Sequence, residues 1–493
     1  MECAIKCRKD SEGERVHEIE KSLRPPPLPL GDLAKMQKPL HGYPQPTREV
    51  LTMLIRRSFS FQHVNPVLLS FARVGSRGLS SEAQDTRRRV VFLGTPEVSA
   101  QSLELFLKAS LDASSNIQLV GVISQPPAPA GRKMKLTPSP VQMLAKRFGL
   151  PLLTPASARD SKFLKELSSW KPDLCVTAAY GQFLPRSFLA IPKYGTLNIH
   201  PSLLPLYRGA APVQRCLENG DESIGVSIVE TVLKMDAGPL VQQHKQPLDG
   251  SEKAPELLES LVVKGTEMLL DILQTYFVPS NLARSHRHTD ASASSGDDDA
   301  NDDNVEDSGR TKTAQDHDLA SSADKIDAGE AHLDLAKMSA LTIHNRARGF
   351  AGWPGVWSYF HVLPAGTIED AGEIFSDEEA LSALVPQRIK LTTTCVVNEQ
   401  MISEHDFNKC EENWEVNEQS VHLSKVYPTV HAKRGKDALI MKCHDGTVLA
   451  VFEVQPAGKK VMDVKSFING LRGQDLYWAS KGNRKVKKKK FNY

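Results

Sequence analysis

From residue 88 onward, unbroken apolar stretches alternate with segments of helical spacing. Val90-Val-Phe-Leu-Gly94-Thr-Pro96 is an apolar run closed by Gly-x-Pro, the pattern of a buried strand and its turn. Residues 97–108 carry helical spacing, and 118–124 form a second apolar run. Pro138-Ser139-Pro140 opens a helix over about 138–148, with proline in the first turn, where its missing N–H costs little. Residues 173–179, 195–200 and 223–229 supply three more buried strands, and 254–275 read as a long amphipathic helix. Fully apolar strands alternating with helices imply a parallel sheet covered on both faces, so 88–280 is read as one Rossmann-like α/β domain. Residues 284–322 are mostly Asp, Ser, Ala and Asn; they cannot offset ordering entropy and are expected to form a disordered acidic insert. Helical periodicity returns from Ala331 to about Arg348. Gly352-Trp-Pro-Gly-Val-Trp357 and β-rich segments at 387–397, 438–443 and 448–454 follow. That spacing predicts a smaller, OB-like β-barrel over 331–480.

Charge redraws this picture at the edges. The formal net charge of +2 conceals an acidic block at 290–318 and a basic tail at 481–493 with seven Lys and Arg residues. The folded body is close to neutral, so polyanion binding must rest on local basic patches. Residues 1–52 are polar and proline-bearing without a sustained period, and read as a disordered extension ahead of a functional start at Met53. Residues 53–81 hold Arg56, Arg57, Arg73 and Arg77 among serines and apolar residues without a single acid. That is the composition of an organelle transit peptide; it points to the mitochondrial matrix, with a chloroplast or dual destination open. Seven scattered cysteines without a Cys-x-x-Cys pair exclude a disulfide scaffold and argue against structural zinc. Apolar runs fall short of the roughly 18–20 residues that cross a bilayer.

The chemistry concentrates at Leu197-Asn198-Ile-His200-Pro-Ser202-Leu203-Leu204-Pro205-Leu-Tyr-Arg208-Gly209. Asn198 and His200 are two apart at the end of a strand, so both side chains leave one face, at the end where α/β sheets place ligand crevices. An amide and an imidazole converging on one point suit an oxygen that gains negative charge during acyl transfer. Asp236 sits on a tight turn bounded by Gly238 and Pro239, from which it would orient His200 and support its charged form. Each residue also has a plainer reading: a structural strand-end histidine, and an aspartate that only forms a turn.

These residues resemble the folate-dependent formyltransferases, which move a formyl group from 10-formyltetrahydrofolate to an amine with an Asn, a His and an Asp. Asn198, His200 and Asp236 fall on that triad. His200-Pro-Ser202-Leu203-Leu204-Pro205 resembles the family's tetrahydrofolate-binding segment, with proline where many members have glycine at 201. Ala179-Tyr-Gly-Gln-Phe183-Leu184-Pro185 resembles its folate-pocket loop. Within the family, the branch that acts on charged initiator tRNA is most similar. Its tRNA-contacting loop is matched by Gly131-Arg132-Lys133-Met-Lys135, and its second domain by Gly352-Trp-Pro354 and Gln455-Pro-Ala-Gly-Lys459-Lys460.

The resemblance implies a monomer that takes 10-formyltetrahydrofolate as co-substrate, binds no metal, and formylates the amino group of methionyl-initiator-tRNA for organellar translation. Ser202, Leu203, Leu204, Pro205, Phe183 and Leu184 would contact folate. Arg132, Lys133, Lys135, Lys459 and Lys460 would contact tRNA. Two alternatives remain open: a sister transferase or hydrolase acting on a small amine or on water, and a catalytically silent RNA-binding protein.

Overall fold

The computed structural model describes residues 87–131, 133–277, 312–335, 337–363, 374–375, 386–397, 421–431 and 436–480. The expected extension at 1–52, the transit segment at 53–81, the tail at 481–493 and Arg132 lie outside the described residues.

The first domain is a seven-stranded sheet. Its strands are β1 (Arg88–Gly94), β2 (Ile117–Ile123), β5 (Leu152–Leu153), β6 (Leu174–Ala178), β7 (Thr196–His200), β9 (Ser223–Glu230) and β10 (Leu240–Pro247). An exposed hairpin, β3 (Ala128–Ala130) and β4 (Lys135–Thr137), follows β2, and the short β8 (Arg208–Gly209) follows β7. The spatial order is β10-β9-β7-β6-β1-β2-β5. β5, β2, β1, β6 and β7 run parallel. The chain leaves β1 toward β2 and then returns to β6 on the other side, so the sheet has a switch point at β1, the place where α/β sheets open a ligand crevice. Helices α1 (Glu97–Leu111), α2 (Pro140–Arg147), α3 (Ser161–Ser169), α4 (Arg186–Leu189), α5 (Pro212–Asn219) and α6 (Ala254–Tyr276) complete this domain. Ser139 caps α2 by accepting from the Gln142 amide, with Pro140 at the first helical position.

The expected Rossmann-like parallel sheet is present in five strands, β7-β6-β1-β2-β5, and two antiparallel strands extend it at one side, because β9 runs antiparallel to β7 and β10 antiparallel to β9. β9 is buried along nearly its whole length, and a continuous apolar run reports burial on both faces without reporting direction. β10 alternates half-buried and exposed positions at the sheet edge. The disorder expected over 284–322 needs correction at its C-terminal end. Residues 284–311 lie outside the described residues, but 312–322 are built into the first domain. Thr313 exchanges both backbone bonds with Leu240, at 2.8 and 2.9 Å. β11 (Ser322–Ala323) pairs in parallel with β8. Polar side chains here make specific bonds instead of burying apolar area, so composition alone could not reveal the order.

One glycine sets the depth of the catalytic strand. A Cβ on Gly265, midway along α6, would lie 2.6 Å from both Ile199 of β7 and Val226 of β9. Glycine costs a helix interior up to about 1 kcal/mol relative to alanine, and here that allows α6 to lie directly on the strand that ends in His200.

The second domain carries α7 (Ala340–Gly349), β12 (Val356–Leu363), β13 (Ile374–Phe375), β14 (Gln387–Val397), β15 (Val421–His431), β16 (Lys436–Lys442), β17 (Val448–Pro456), β18 (Met462–Asp463), α8 (Val464–Leu471) and β19 (Asp475–Ser480). Antiparallel pairing runs β15-β16-β17-β14-β12-β19, and a further β19–β15 pairing closes the ring into a six-stranded barrel. Closure leaves no free edge among these strands. Phe360, Leu391, Val451, Val454 and Trp478 fill the core together with Ile343 of α7, Phe350 just after it and Phe467 of α8.

α7 lies against α5. Arg215 of α5 bonds Glu330 through two nitrogens at 2.7 and 3.1 Å and Glu218 at 2.7 Å, while Arg346 of α7 reaches Glu218 at 3.0 Å. The Arg215 guanidinium holds the Glu330 carboxyl below its ordinary range. A depressed carboxyl contributes stability above its unfolded pKa, near 4.3, and loses it as pH falls through the lower folded value. Glu330→Gln should therefore reduce stability by about 1 kcal/mol at pH 7 and by less near pH 3. Urea unfolding at the two pH values checks this; an equal loss at both would refute the assignment.

Candidate active site

The structure brings Asn198, His200 and Asp236 together at the carboxyl end of β7. His200 is 4% exposed. Its Nε2 lies 2.9 Å from the Tyr207 carbonyl. A carbonyl only accepts, so Nε2 carries the hydrogen and Nδ1 is left facing the Asp236 carboxylate at 3.7 Å. Asn198 Nδ2 donates to Asp236 Oδ1 at 3.4 Å, and its Oδ1 accepts from the Thr177 hydroxyl at 2.7 Å. The amide orientation follows, because the nitrogen must face the carboxylate. Asp236 Oδ2 accepts from the Gly209 amide at 3.0 Å.

Tyr207 and Asp236 both adopt positive φ, +62° and +50°. Aspartate tolerates the left-handed region better than most residues, whereas tyrosine rarely occupies it. Such conformations persist only where surrounding contacts over-determine them. Tyr207 is held by its phenol, which donates to Asp221 at 2.7 Å and accepts from Asn219 at 2.9 Å. Burial, reinforced by the Asp221 carboxylate, pushes this phenol well above its ordinary value, so it stays a donor. The loop between Ser202 and Tyr207 is pinned to β9 through Ser227, which donates to the Ser202 carbonyl at 2.6 Å and accepts from the Leu204 amide at 3.1 Å.

Other residues predicted to act here fall into distinct places. Ser202 is fully buried and donates to the Leu206 carbonyl at 2.7 Å. Leu203 fills the space a side chain at Gly225 would need. Leu204 and Leu184 are buried, the latter in the apolar cluster around Tyr180 and Phe188. These four side chains build the loops, while Pro205 is half-buried and Phe183 is exposed beneath the Arg159 guanidinium. Lys133 and Lys135 project from the exposed β3–β4 hairpin, and Lys459 and Lys460 from the exposed turn after β17. Among the described residues no group of three His, Cys, Asp or Glu is placed to hold a metal ion, and no helix is long and apolar enough to cross a membrane.

Sequence reasoning missed Thr177 and the backbone partners at Tyr207 and Gly209. Thr177 had a readable signal, as a polar residue in the otherwise apolar β6; the backbone groups had none.

The site is therefore an amide, an imidazole and a carboxylate gathered at one strand end of an α/β sheet joined to a closed barrel. The family profile described as formyl transferase matches residues 88–273, and the one described as formyl transferase, C-terminal domain, matches 325–472. A methionyl-tRNA formyltransferase of Herpetosiphon aurantiacus is 44% identical over 188 residues, 38% of this chain and 60% of the relative. One from Thermotoga neapolitana is 34% identical over 273 residues, 55% and 76% of the two chains. One from Enterococcus faecalis is 30% identical over 388 residues, 79% and 97%. The chain thus spans about three-fifths of the first relative and nearly all of the third. It belongs to the methionyl-tRNA formyltransferase family.

Thr177→Val keeps the volume of a buried side chain but removes the hydroxyl that fixes the Asn198 amide. Turnover should fall roughly tenfold with stability changed by about 1 kcal/mol, read by steady-state kinetics beside unfolding curves. Unchanged turnover would show that the amide is held by other means.

Proposed function

We propose that this protein transfers the formyl group of 10-formyltetrahydrofolate to the α-amine of methionine esterified to initiator tRNA. The convergence of Asn198 and His200 on the Asp236 carboxylate carries this reading, and family membership supports the choice of co-substrate and amine.

The reaction joins the neutral amine to the formyl carbon, passes through a tetrahedral intermediate, and expels N10 of the folate. The amine gives up one proton and N10 gains one, so no net proton is consumed. Asn198 Nδ2 is a preorganised donor whose present bond to Asp236 is long, at 3.4 Å, so it can turn to the developing oxyanion. His200 cannot donate to the intermediate through Nε2, which is committed to Tyr207. The Nδ1–Asp236 side of the ring is therefore the one that takes the amine's proton, directly or through water, and returns it to N10.

Leu206, Val232, Leu233 and Met235 are exposed apolar side chains on the two loops that flank the triad, with Met235 64% exposed. Large exposed apolar groups beside polar ones suit a planar ring system with a polar edge, as a pterin has. Phe183 and Pro205 add further surface of this kind. Lys133 and Lys135 on the hairpin, with Lys459 and Lys460 on the barrel and Arg132 next to Lys133 in sequence, supply phosphate contacts that position an RNA without reading its sequence. Residues 53–81 direct the protein to mitochondria, where initiation with formylmethionine requires this activity.

The test is transfer of labelled formyl from 10-formyltetrahydrofolate to charged initiator tRNA by the full chain. We expect transfer to methionyl-tRNA and none to glycinamide ribonucleotide. The reverse preference would overturn the substrate assignment. Asn198→Ala and His200→Ala should each lower kcat about 10²–10³-fold, and Arg132→Ala should raise KM for tRNA more than for folate. A fluorescent protein carrying residues 1–81 should enter mitochondria; cytosolic retention would remove the organellar part of the reading.

A further inference from the structure

The turn that carries Asp236 is held from outside by a residue of the supposed insert. Gln315 is buried, and its Nε2 donates to the Asp236 carbonyl at 2.8 Å and to the Gly238 carbonyl at 2.7 Å. Its Oε1 accepts from Arg208 Nε at 3.1 Å and Nη2 at 2.6 Å. Two hydrogens and two lone pairs are thereby all used, which is the full capacity of a side-chain amide. A satisfied buried network of this kind rigidifies what it joins.

What it joins are the two loops that make the site. Arg208 lies between Tyr207, whose carbonyl receives His200 Nε2, and Gly209, whose amide donates to Asp236 Oδ2. The Gln315 donors act on the backbone of Asp236 itself, the residue at φ +50°. The segment around Gln315 is anchored on both sides. Before it, Lys312 pairs with Glu230, and Thr313 is paired with Leu240. After it, Ser321 accepts from the Arg208 amide at 2.8 Å through its carbonyl and from the Tyr207 amide at 2.9 Å through its hydroxyl. Gly209, at φ +133°, has no room for a side chain because a Cβ would lie 2.7 Å from the Ala323 carbonyl.

We propose that Gln315 is a positioning residue of the active site, which sets the Asp236 carboxylate against His200 by clamping the 236–238 backbone to Arg208. Its chemistry is specific. A glutamate there keeps the acceptor for Arg208 but turns an oxygen without hydrogen toward two carbonyls. A leucine keeps the bulk and loses both functions. The role assigned to Asp236 under the proposed function is what the clamp serves, so the kinetic part of the test rests on that reading and the geometric part does not.

The experiment compares the full-length protein with Gln315→Leu, Gln315→Glu, Asp236→Asn and the Gln315→Leu/Asp236→Asn double variant. Gln315→Leu and Gln315→Glu should each lower kcat roughly 10- to 100-fold, as expected when a reacting group is misplaced by about 1 Å, with KM for both substrates within about threefold. In the Asp236→Asn background, Gln315→Leu should cost less than about twofold more, because the group it positions no longer functions. Crystal structures of the two Gln315 variants should show the 235–238 turn displaced and the His200 Nδ1–Asp236 separation lengthened beyond 3.7 Å. Near wild-type kcat for Gln315→Glu, an undiminished loss in the Asp236→Asn background, or an unmoved turn would each overturn the proposal. Should the wild-type protein formylate a different amine, the substrate assignment falls, and the same cycle run on that amine still decides the role of Gln315.

Discussion

The site depends on holding one nearly buried carboxylate where three separate chain segments meet. Asp236 stands on a turn after β9, Asn198 and His200 end β7, and the Gly209 amide comes from the loop between them. A carboxylate removed from water without donors would cost several kcal/mol, and Asp236 accepts from the Gly209 amide and the Asn198 side chain. The Gly209 donor is in place only if the 204–211 loop folds back over β7, which Ser227 and the Tyr207–Asp221 bond enforce. β7 in turn sits at its present depth because α6 reaches it through Gly265. Each layer of the domain can be traced to that one electrostatic requirement.

His200 shows how the same arrangement divides labour between side chain and main chain. The sequence pointed to Asp236, on its tight turn, as the residue that orients the ring. In the structure the Tyr207 carbonyl fixes one nitrogen, which leaves the other to work with the carboxylate. A backbone acceptor suits this task because it cannot titrate. It therefore holds the tautomer that carries its hydrogen on Nε2 and leaves Nδ1 toward Asp236.

Strand positions, the α/β architecture and the meeting of Asn198, His200 and Asp236 were legible because they rest on period, apolar continuity and residue identity. Asn198 and His200 shared a face by the two-residue repeat of a strand, and Asp236 was marked by its Gly-Pro boundary. The direction of β9 was not legible, since Ser223–Glu230 is equally apolar whichever way it runs. The half-exposed β10 lacked an apolar run altogether. Loop residues Ser202, Leu203 and Leu204 were expected to contact folate from the family motif, but their side chains pack into the loop itself, and a motif does not say which way a side chain faces. The largest misreading, disorder through residue 322, came from treating polarity as absence of structure. Lys312, Gln315 and Ser321 are ordered by bonds to particular partners, which a composition average cannot register.

That misreading has a physical basis in what catalytic loops need. The 231–239 turn and the 204–211 loop leave the sheet at strand ends, where ladder partners run out, yet their carbonyls are half-buried and must be satisfied. Water could do so, but mobile solvent would leave both loops free to shift. A segment arriving from elsewhere in the chain supplies donors and acceptors at fixed spacing, provided that it is itself anchored. Lys312 on Glu230 holds one end, and Glu330 on Arg215 holds the other a few residues beyond β11. Arg215 belongs to α5, which packs on α7 and through it on the barrel core. The segment is therefore anchored on both the sheet and the second domain, and one of the polar residues that make it look unstructured, Gln315, satisfies the carbonyls of the Asp236 turn.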